Sequence, residues 1–166
     1  RKRRKIFQGP SARRMKTEGY SGTPLAKKLG FAAGLRVHVS SAPEGYFDLV
    51  GETPGLIWRW TPAAQLDIAH VFFRERAKLE KALPGFMKAI APDGAIWVSW
   101  PKRASGVKTT ITEDGIREIA LPLGLVDVKV CAVDAVWSGL KLVIRKDLRS
   151  KCARAPMQNI AKRARL

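Results

Sequence analysis

The sequence predicts a single α/β domain with a mostly parallel sheet and a basic extension at each end. Apolar segments of strand length alternate with segments of helical periodicity, and the positive charge is concentrated at the two ends of the chain. With 166 residues, of which 46% are apolar, the chain can bury one core of ordinary size. We therefore expect a domain over residues 20–145, with extensions over residues 1–19 and 146–166.

The first half of the predicted domain contains one short helix and three strands. Thr23 can cap a helix whose first turn holds Pro24 and which ends at Gly30. Three segments have the composition of strands: residues 35–41, 56–60 and 68–73. The last of them is continuously apolar, as in a strand buried on both faces of a parallel sheet. A short helix or loop is expected around residues 47–50.

Two helices and three more strands are predicted in the second half. Apolar residues between 79 and 90 recur at helical spacing, although Pro84 is expected to kink or split that helix. Thr112, followed by two acidic residues, can begin the second helix. The strand segments are residues 95–100, 126–133 and 140–144. The last two are joined by DAVWSG, which is short enough for an antiparallel hairpin.

This order of elements is typical of a Rossmann-like fold. A parallel sheet that ends in an antiparallel C-terminal hairpin is the arrangement of the class I methyltransferase-like folds. The helical segment between the second and third strands is short, so we expect an abbreviated version of that fold.

Six segments of the domain form a longer signature. They are YSGTPLAKKLG (20–30), APEGY (42–46), WVSWPK (97–102), ASGV (104–107), GLVDVKVCAVD (124–134) and WSGLK (137–141). Together they resemble a bacterial family of small proteins known only as a domain of unknown function. The resemblance covers roughly residues 20–145 and implies a fold without implying an activity. The two basic extensions lie outside it and are interpreted as additions to the bacterial domain.

Nearly all of the excess positive charge lies in the extensions. Residues 1–17 hold eight Lys or Arg and no acid, residues 145–166 hold eight against one Asp, and residues 18–144 hold fifteen bases and thirteen acids. Such segments are either solvated tails or anchors for nucleic-acid phosphates, with acidic membrane surfaces a less favoured partner. We predict RNA binding by the extensions and one basic loop. The predicted RNA-binding residues are Arg1, Lys2, Arg3, Arg4, Lys5, Arg13, Arg14, Lys16, Lys102, Arg103, Lys108, Arg145, Lys146, Arg149, Lys151, Arg154, Lys162, Arg163 and Arg165.

The C-terminal extension also contains a predicted amphipathic helix. After Pro156, apolar residues recur at helical spacing at Met157, Ile160, Ala161 and Ala164. Basic residues occupy other positions of this segment, so its apolar stripe is expected to rest on protein while the bases face phosphates.

Methyl-transfer chemistry has little support in the residues themselves. A methyltransferase of this fold needs a Gly-rich turn after its first strand and usually an acid at the end of its second. Here the turn contains only Gly45, and Arg59 stands near the end of the second strand. Two interpretations remain for the turn: tight packing, or a vestigial site in which a helix beginning at Glu44 and Gly45 holds a small anion or retains a degraded cofactor site. The candidate ligand turn comprises Ala42, Pro43, Glu44, Gly45 and Tyr46.

Other familiar sites are not indicated. Cys131 and Cys152 lack CxxC spacing and neighbouring histidines, so neither zinc nor a disulfide is expected. His38 and His70 fall in separate strands and are interpreted as core residues, and Ser99 lacks a GxSxG elbow. No run of about eighteen apolar residues is present. We expect no cofactor, no metal and no membrane partner.

The five tryptophans suggest base stacking as an alternative to burial. Trp58, Trp60, Trp97 and Trp100 fall in predicted strands, where burial is expected. Trp137, in the predicted hairpin connection, is the one candidate for stacking on a base.

The favoured function is that of a non-catalytic structural component of a ribonucleoprotein. We expect an organellar, mitochondrial ribosomal protein that binds ribosomal RNA and neighbouring ribosomal proteins. An Arg-rich, acid-poor start without Met favours the mitochondrial matrix, with the bacterial cytoplasm as the alternative. One alternative function is a vestigial or active nucleotide- or S-adenosylmethionine-binding enzyme acting on nucleic acid. Another is a bacterial nucleic-acid-associated regulatory protein, although no helix-turn-helix or zinc signature is present.

Overall fold

Helices and strands alternate along most of the chain, as the periodicity predicts. The structure, a computed structural model, describes residues 22–62 and 64–153. Its elements are α1 (Leu25–Leu29), β1 (Arg36–Ser40), α2 (Tyr46–Val50), β2 (Ile57–Trp58), β3 (Leu66–Phe72), α3 (Arg76–Ala89), β4 (Ile90–Pro101), α4 (Glu113–Leu123), β5 (Leu125–Ala132), β6 (Trp137–Ile144) and α5 (Lys146–Ala153). A single 3-10 turn, Arg103–Ser105, follows β4. No helix among the described residues is both long and apolar enough to cross a membrane.

The six strands form one sheet in the order β2-β1-β3-β4-β6-β5. Strands β1 to β4 are parallel, and β6 is antiparallel to both β4 and β5. This confirms the predicted α/β class, the mostly parallel sheet and the antiparallel C-terminal hairpin. The chain order reverses between β1 and β3, because β1 is followed by β2 on one side and by β3 on the other. The fold is abbreviated at that first edge, where β2 is only two residues long.

The sheet is covered on both faces. On one face, α3 and α4 bury Leu79, Leu83 and Ile116 against β4 and β6, and Leu148 of α5 packs at the margin of this cluster. On the other face, α1 and α2 pack over β1, β3 and β4, with Leu29 and Trp97 fully buried. Each such side chain contributes roughly 1.5 to 3 kcal/mol on burial, so these two layers hold the sheet edges in place.

Helix α3 runs unbroken from Arg76 to Ala89 although it contains Pro84. The expected split is therefore wrong. Leu79 and Leu83 are both fully buried, and their packing outweighs the backbone hydrogen bond that proline removes. The next helix follows its sequence signal closely, because Thr112 Oγ1 accepts the Gly115 amide at 3.0 Å, as a helix cap should.

Several boundaries differ from those predicted. Pro24, rather than Thr23, occupies the cap position of α1 and makes no side-chain cap bond. Strand β4 begins at Ile90, five residues before the predicted start, and pairs through Ala95 to Ser99 with β3. Strand β6 begins at Trp137 rather than at residue 140, because it pairs with both β4 and β5 and has ladder partners on each side.

The tryptophans divide between buried and exposed positions. Trp97 and Trp100 are buried and Trp58 is half-buried, as expected of strand residues. Trp60 was expected to be buried but is 74% exposed. The physical reason is that β2 ends at Trp58 at the edge of the sheet, so that Trp60 lies beyond the strand.

Candidate functional site

A cleft opens where the strand order reverses, at the carboxyl ends of β1 and β3. Its volume is about 390 Å³. The lining residues are Ser41, Ala42, Pro43, Phe72, Phe73, Arg74, Glu75, Lys78 and Trp137. In open α/β sheets, ligands bind outside the carboxyl ends of the strands at this switch point. The cleft is therefore the first place to look for a ligand.

The loop after β1 forms one wall of the cleft. Ser41 has a φ of 58°, a left-handed conformation that costs a residue with a Cβ about 1 kcal/mol. Gly45 has a φ of 77° and immediately precedes α2, so the prediction that Glu44 and Gly45 open a helix is confirmed. That helix has only five residues and lies beyond the cleft lining. A ligand role of the turn rests instead on Ala42 and Pro43, which do line the cleft.

Trp137 forms the opposite wall. It is 5% exposed, and its ring meets the Phe72 ring edge-on with a centroid separation of 5.1 Å. Asp134 Oδ1 accepts the backbone amides of Val136 and Trp137, each at 2.7 Å, which fixes the start of β6. The guanidinium of Arg74 lies 5.7 Å from the centre of the Trp137 ring. Trp137, the candidate for stacking on a base, is therefore not available for it, because this side chain is part of a packed wall.

A buried chain of hydrogen bonds lies beneath the cleft. Tyr46 Oη is 2.8 Å from His70 Nδ1, and His70 Nε2 is 2.8 Å from Ser99 Oγ. All three residues are buried, and the Phe72 ring lies 4.4 Å from the His70 ring, between centroids. Burial lowers the pKa of His70 to about 3, so the imidazole is neutral, with one nitrogen donating and the other accepting. Burial also raises the pKa of Tyr46.

This network ties α2, β3 and β4 together directly under the Phe72 wall. It agrees with the interpretation of His70 as a core residue rather than an exposed base, and it leaves Ser99 no access to a substrate. Its role is to fix the floor of the cleft. In the sequence, the only sign of this network is that two strongly apolar strands each contain a polar residue, His70 in β3 and Ser99 in β4.

Three exposed cations border the cleft and its neighbouring depressions. Arg74 lines the cleft and also a second depression that it shares with Lys108, and Arg103 and Lys108 line a third. The carbonyl of Arg74 accepts from the Thr109 hydroxyl at 2.7 Å, which joins these segments. Within residues 22–62 and 64–153, none of the three cations has a carboxylate within ion-pair distance.

Other charged residues around the cleft and its neighbouring depressions, by contrast, have ion-pair or hydrogen-bond partners. Lys78 pairs with Glu75 at 2.7 Å. Lys102, a predicted RNA-binding residue, is half-buried and donates through Nζ to the Asp134 carbonyl at 2.7 Å. The carboxylates of the third depression, Glu113 and Asp114, both pair with Arg117.

The other predicted RNA-binding residues within the described part of the chain lie around α5. Arg145 pairs with Asp147 at 3.1 Å, and Arg149 donates to the Ile144 carbonyl at 2.8 Å. Lys146 and Lys151 are exposed on α5. The predicted residues between 1 and 16 and between 154 and 165 lie outside the described residues, as does the predicted amphipathic helix after Pro156.

The polar groups of the cleft determine which cofactor it fits. The acid usually found at the end of the second strand is replaced by Arg59, whose carbonyl is 2.7 Å from His38 Nδ1. Glu75, after β3, is the carboxylate that lines the cleft. Ligand sites of about 300 to 1,000 Å³ with aromatic walls and a few convergent polar groups are usual for small molecules and cofactors. The cleft fits a ligand of this kind, with its carboxylate in the segment between β3 and α3 rather than at the end of β2. No group of three metal-binding side chains occurs in the described residues.

Comparisons with known proteins identify the fold. No family model and no curated protein matches the chain. An S-adenosylmethionine-dependent methyltransferase from Aquifex aeolicus matches with a TM-score of 0.54 and 13% identity over 72% of this chain and 88% of its own. The complex of DhpI with S-adenosylhomocysteine matches with a TM-score of 0.50 and 16% identity over 74% of this chain and 84% of its own. The chain thus has the Rossmann-like fold of these two proteins, one of which is a methyltransferase.

These comparisons overturn the favoured function. The interpretation as a mitochondrial ribosomal protein that binds ribosomal RNA is wrong, and so is the expectation of a chain without enzymatic activity, because the fold is that of a methyltransferase and of a protein solved with S-adenosylhomocysteine. The alternative, a vestigial or active nucleotide- or S-adenosylmethionine-binding enzyme, agrees better with this fold. The error has a physical origin: basic ends indicate a polyanionic partner but carry no information on whether the domain between them is catalytic.

Proposed function

We propose that this protein is an S-adenosylmethionine-dependent methyltransferase that acts on nucleic acid. The observation that carries the proposal is the 390 Å³ cleft at the switch point of a sheet with the methyltransferase order of strands. The resemblance of residues 20–145 to a bacterial family of small proteins stays a prediction.

The residues around the cleft suit this cofactor. Glu75 lines the cleft and can accept hydrogen bonds from ribose hydroxyls. Phe72 and Trp137 give the cleft aromatic walls, which limit the access of water to a bound ligand. When bound, the cofactor supplies an electrophilic methyl group on sulfur. The contribution of the protein is to hold donor and acceptor together in a site that restricts water.

Nucleic acid is the substrate class that the charges favour. The chain carries a net charge of +17, most of it near its ends. Arg74, Arg103 and Lys108 add unpaired positive charge beside the cleft itself. Phosphates are the anions that such a surface binds, and the cations next to the cleft would place a strand across its mouth.

Filling the cleft should abolish cofactor binding. We expect S-adenosylhomocysteine to bind the full chain at one site in a calorimetric titration, and the variant Ala42→Trp to lose this binding, because an indole at residue 42 occupies the cleft. Ala77→Trp is the matched control, since Ala77 is exposed on α3 and does not line the cleft. Absence of binding to the unaltered chain at millimolar ligand would refute the proposed function, as would equal binding by Ala42→Trp.

Neutralising the cations at the cleft should weaken nucleic-acid binding in a salt-dependent way. Each phosphate contact on a single strand contributes about 0.7 to the slope of log K against log salt, so Arg74→Gln, Arg103→Gln and Lys108→Gln together should reduce that slope by about 2. The control removes the same charge elsewhere, from the exposed residues Lys27, Lys81 and Lys129. Fluorescence anisotropy with a labelled oligonucleotide, at several salt concentrations, measures the slope for both triple variants. If the two triple variants behaved alike, net charge alone would explain the binding.

A further inference from the structure

An exposed aromatic surface lies at the end of β2, beside α2. We call it the aromatic surface and define it by three residues: Phe47, Trp58 and Trp60. Trp60 is 74% exposed and Phe47 46%. The two indoles are stacked, with 17° between their planes and 6.2 Å between centroids, and Phe47 lies 5.5 Å from Trp58 and 6.1 Å from Trp60.

The surface is built on fixed parts of the fold. Trp58 belongs to β2 and meets Phe31 edge-on at 5.8 Å. The backbone on either side is paired with β1, because Ile57 donates to the Leu35 carbonyl at 2.9 Å and Arg59 to the Val37 carbonyl at 2.7 Å. Trp60 therefore rests on a ring that cannot move freely, and its high exposure leaves the outer part of its indole open.

The aromatic surface is separate from the cleft. None of its three residues lines the cleft, which lies between the ends of β1 and β3. Exposed aromatic rings are costly in water, and a cluster of them on a soluble domain usually marks an interaction site. The indole of Trp60 is stacked on Trp58 and is exposed on its outer side, so it encloses no small molecule. It suits one base of an extended nucleic-acid strand, because every base offers a flat face for stacking.

The charges around the surface favour a nucleic-acid strand as the occupant. Arg59, between the two tryptophans in sequence, is exposed and forms no ion pair with any described residue. Asp48 is exposed next to Phe47 in sequence, so the phosphates of a bound strand are expected away from Phe47. The high positive charge of the chain opposes association of two copies and favours a polyanion.

We propose that the aromatic surface stacks a base of a single-stranded nucleic acid. This deepens the proposed function, because β2 pairs with β1 in parallel and the two strands end at the same edge of the sheet. A nucleic acid with a base resting on Trp60 thus lies beside the cleft, at a distance of one β-strand. Bases in a duplex are stacked on each other and offer no free face, so the surface selects single strands.

The test compares single strands with duplex. Affinities of a short RNA, a DNA of the same sequence and the corresponding duplex are measured by fluorescence anisotropy, without cofactor, on the full chain. Trp60→Ala should weaken binding of both single strands by roughly 5- to 150-fold, the range for loss of one stacked base, and should leave duplex binding nearly unchanged. Trp60→Phe should restore most of the affinity. Leu121→Ala, which removes another exposed apolar side chain, on α4 and 51% exposed, is the control and should change nothing.

Three results would overturn the proposal. The first is that Trp60→Ala binds single strands as tightly as the unaltered chain does. The second is that the substitution weakens duplex binding as much as single-strand binding. The third is that the unaltered chain sediments as a dimer and the variant as a monomer. Titration with S-adenosylhomocysteine separates this proposal from the proposed function. If Trp60→Ala lost cofactor binding but kept oligonucleotide binding, the surface would belong to the cofactor site. If the unaltered chain bound no cofactor, the cofactor proposal alone would fail, because the oligonucleotide assay contains none.

Discussion

Acidification from pH 7 to about pH 4 should lower the free energy of unfolding by about 3 kcal/mol through His70 alone. Burial lowers the pKa of His70 to about 3, whereas in the unfolded chain it returns to about 6.5. Between these values the unfolded state binds a proton that the folded state does not. The contribution to stability is therefore complete above pH 6.5 and is lost progressively as the pH falls to about 3.

Denaturant titrations of the unaltered chain and of His70→Gln over this pH range measure the effect. Glutamine can still form hydrogen bonds with Tyr46 and Ser99 but has no proton to gain, so the variant should lose less stability on acidification even if it is less stable at pH 7. His38→Gln serves as the control, since it removes the other histidine of the chain. If the free energy of unfolding depended on pH in the same way for the unaltered chain and for His70→Gln, then burial would not prevent protonation of His70 in the folded state.

A single methyl group at residue 94 should destabilise the fold by about 3 kcal/mol, at the upper end of the usual cost of overpacking. A Cβ on Gly94 would lie 2.8 Å from the Leu66 carbonyl oxygen, 3.0 Å from that of Ala91 and 3.1 Å from that of Asp67. All three atoms are backbone, and they lie where the register between β3 and β4 shifts. Relief of the clash would have to move a strand, which a side-chain rotation cannot do.

Gly85→Ala is the matched control for Gly94→Ala. Gly85 lies inside α3 with no atom within 4 Å of an added Cβ, so alanine should stabilise the helix by up to about 1 kcal/mol. Thermal or urea unfolding of the two variants therefore gives shifts of opposite sign. If Gly94→Ala left the free energy of unfolding unchanged, the backbone at the start of β4 would be able to move and relieve the clash.

The parts of the fold that could be predicted are those in which local pattern and burial agree. The apolar run of β3 and the helical stripe of α3 both lie in the core, and DAVWSG does join an antiparallel pair. The failures lie where tertiary contacts decide. Residues 90–94 contain Pro92 and Gly94 and look like the end of a helix, but pairing of Ile90 with Leu66 makes them part of β4. Trp60 looks like a strand residue, but the sheet ends before it.

The candidate site was predicted only in part. The turn after β1 was identified from its position, and Ala42 and Pro43 do line the cleft. The other wall comes from residues 72–75 and from Trp137, far apart in sequence and without any motif. Arg74 is one of several bases in the chain until the fold places it over Trp137. The network of Tyr46, His70 and Ser99 likewise forms only where three elements meet. The spacing of these residues along the sequence does not predict that contact.

The position of β6 has a consequence for biosynthesis. This strand is the last of the six to be made, yet it lies inside the sheet, between β4 and β5. Until residue 144 has left the ribosome, β4 therefore presents an unpaired edge along Ala95 to Pro101, the segment that carries Trp97 and Trp100. Unpaired apolar edges promote aggregation of nascent chains. Completion of the described sheet during translation thus depends on β6, and a pause before that strand is made prolongs the interval in which the edge of β4 is open.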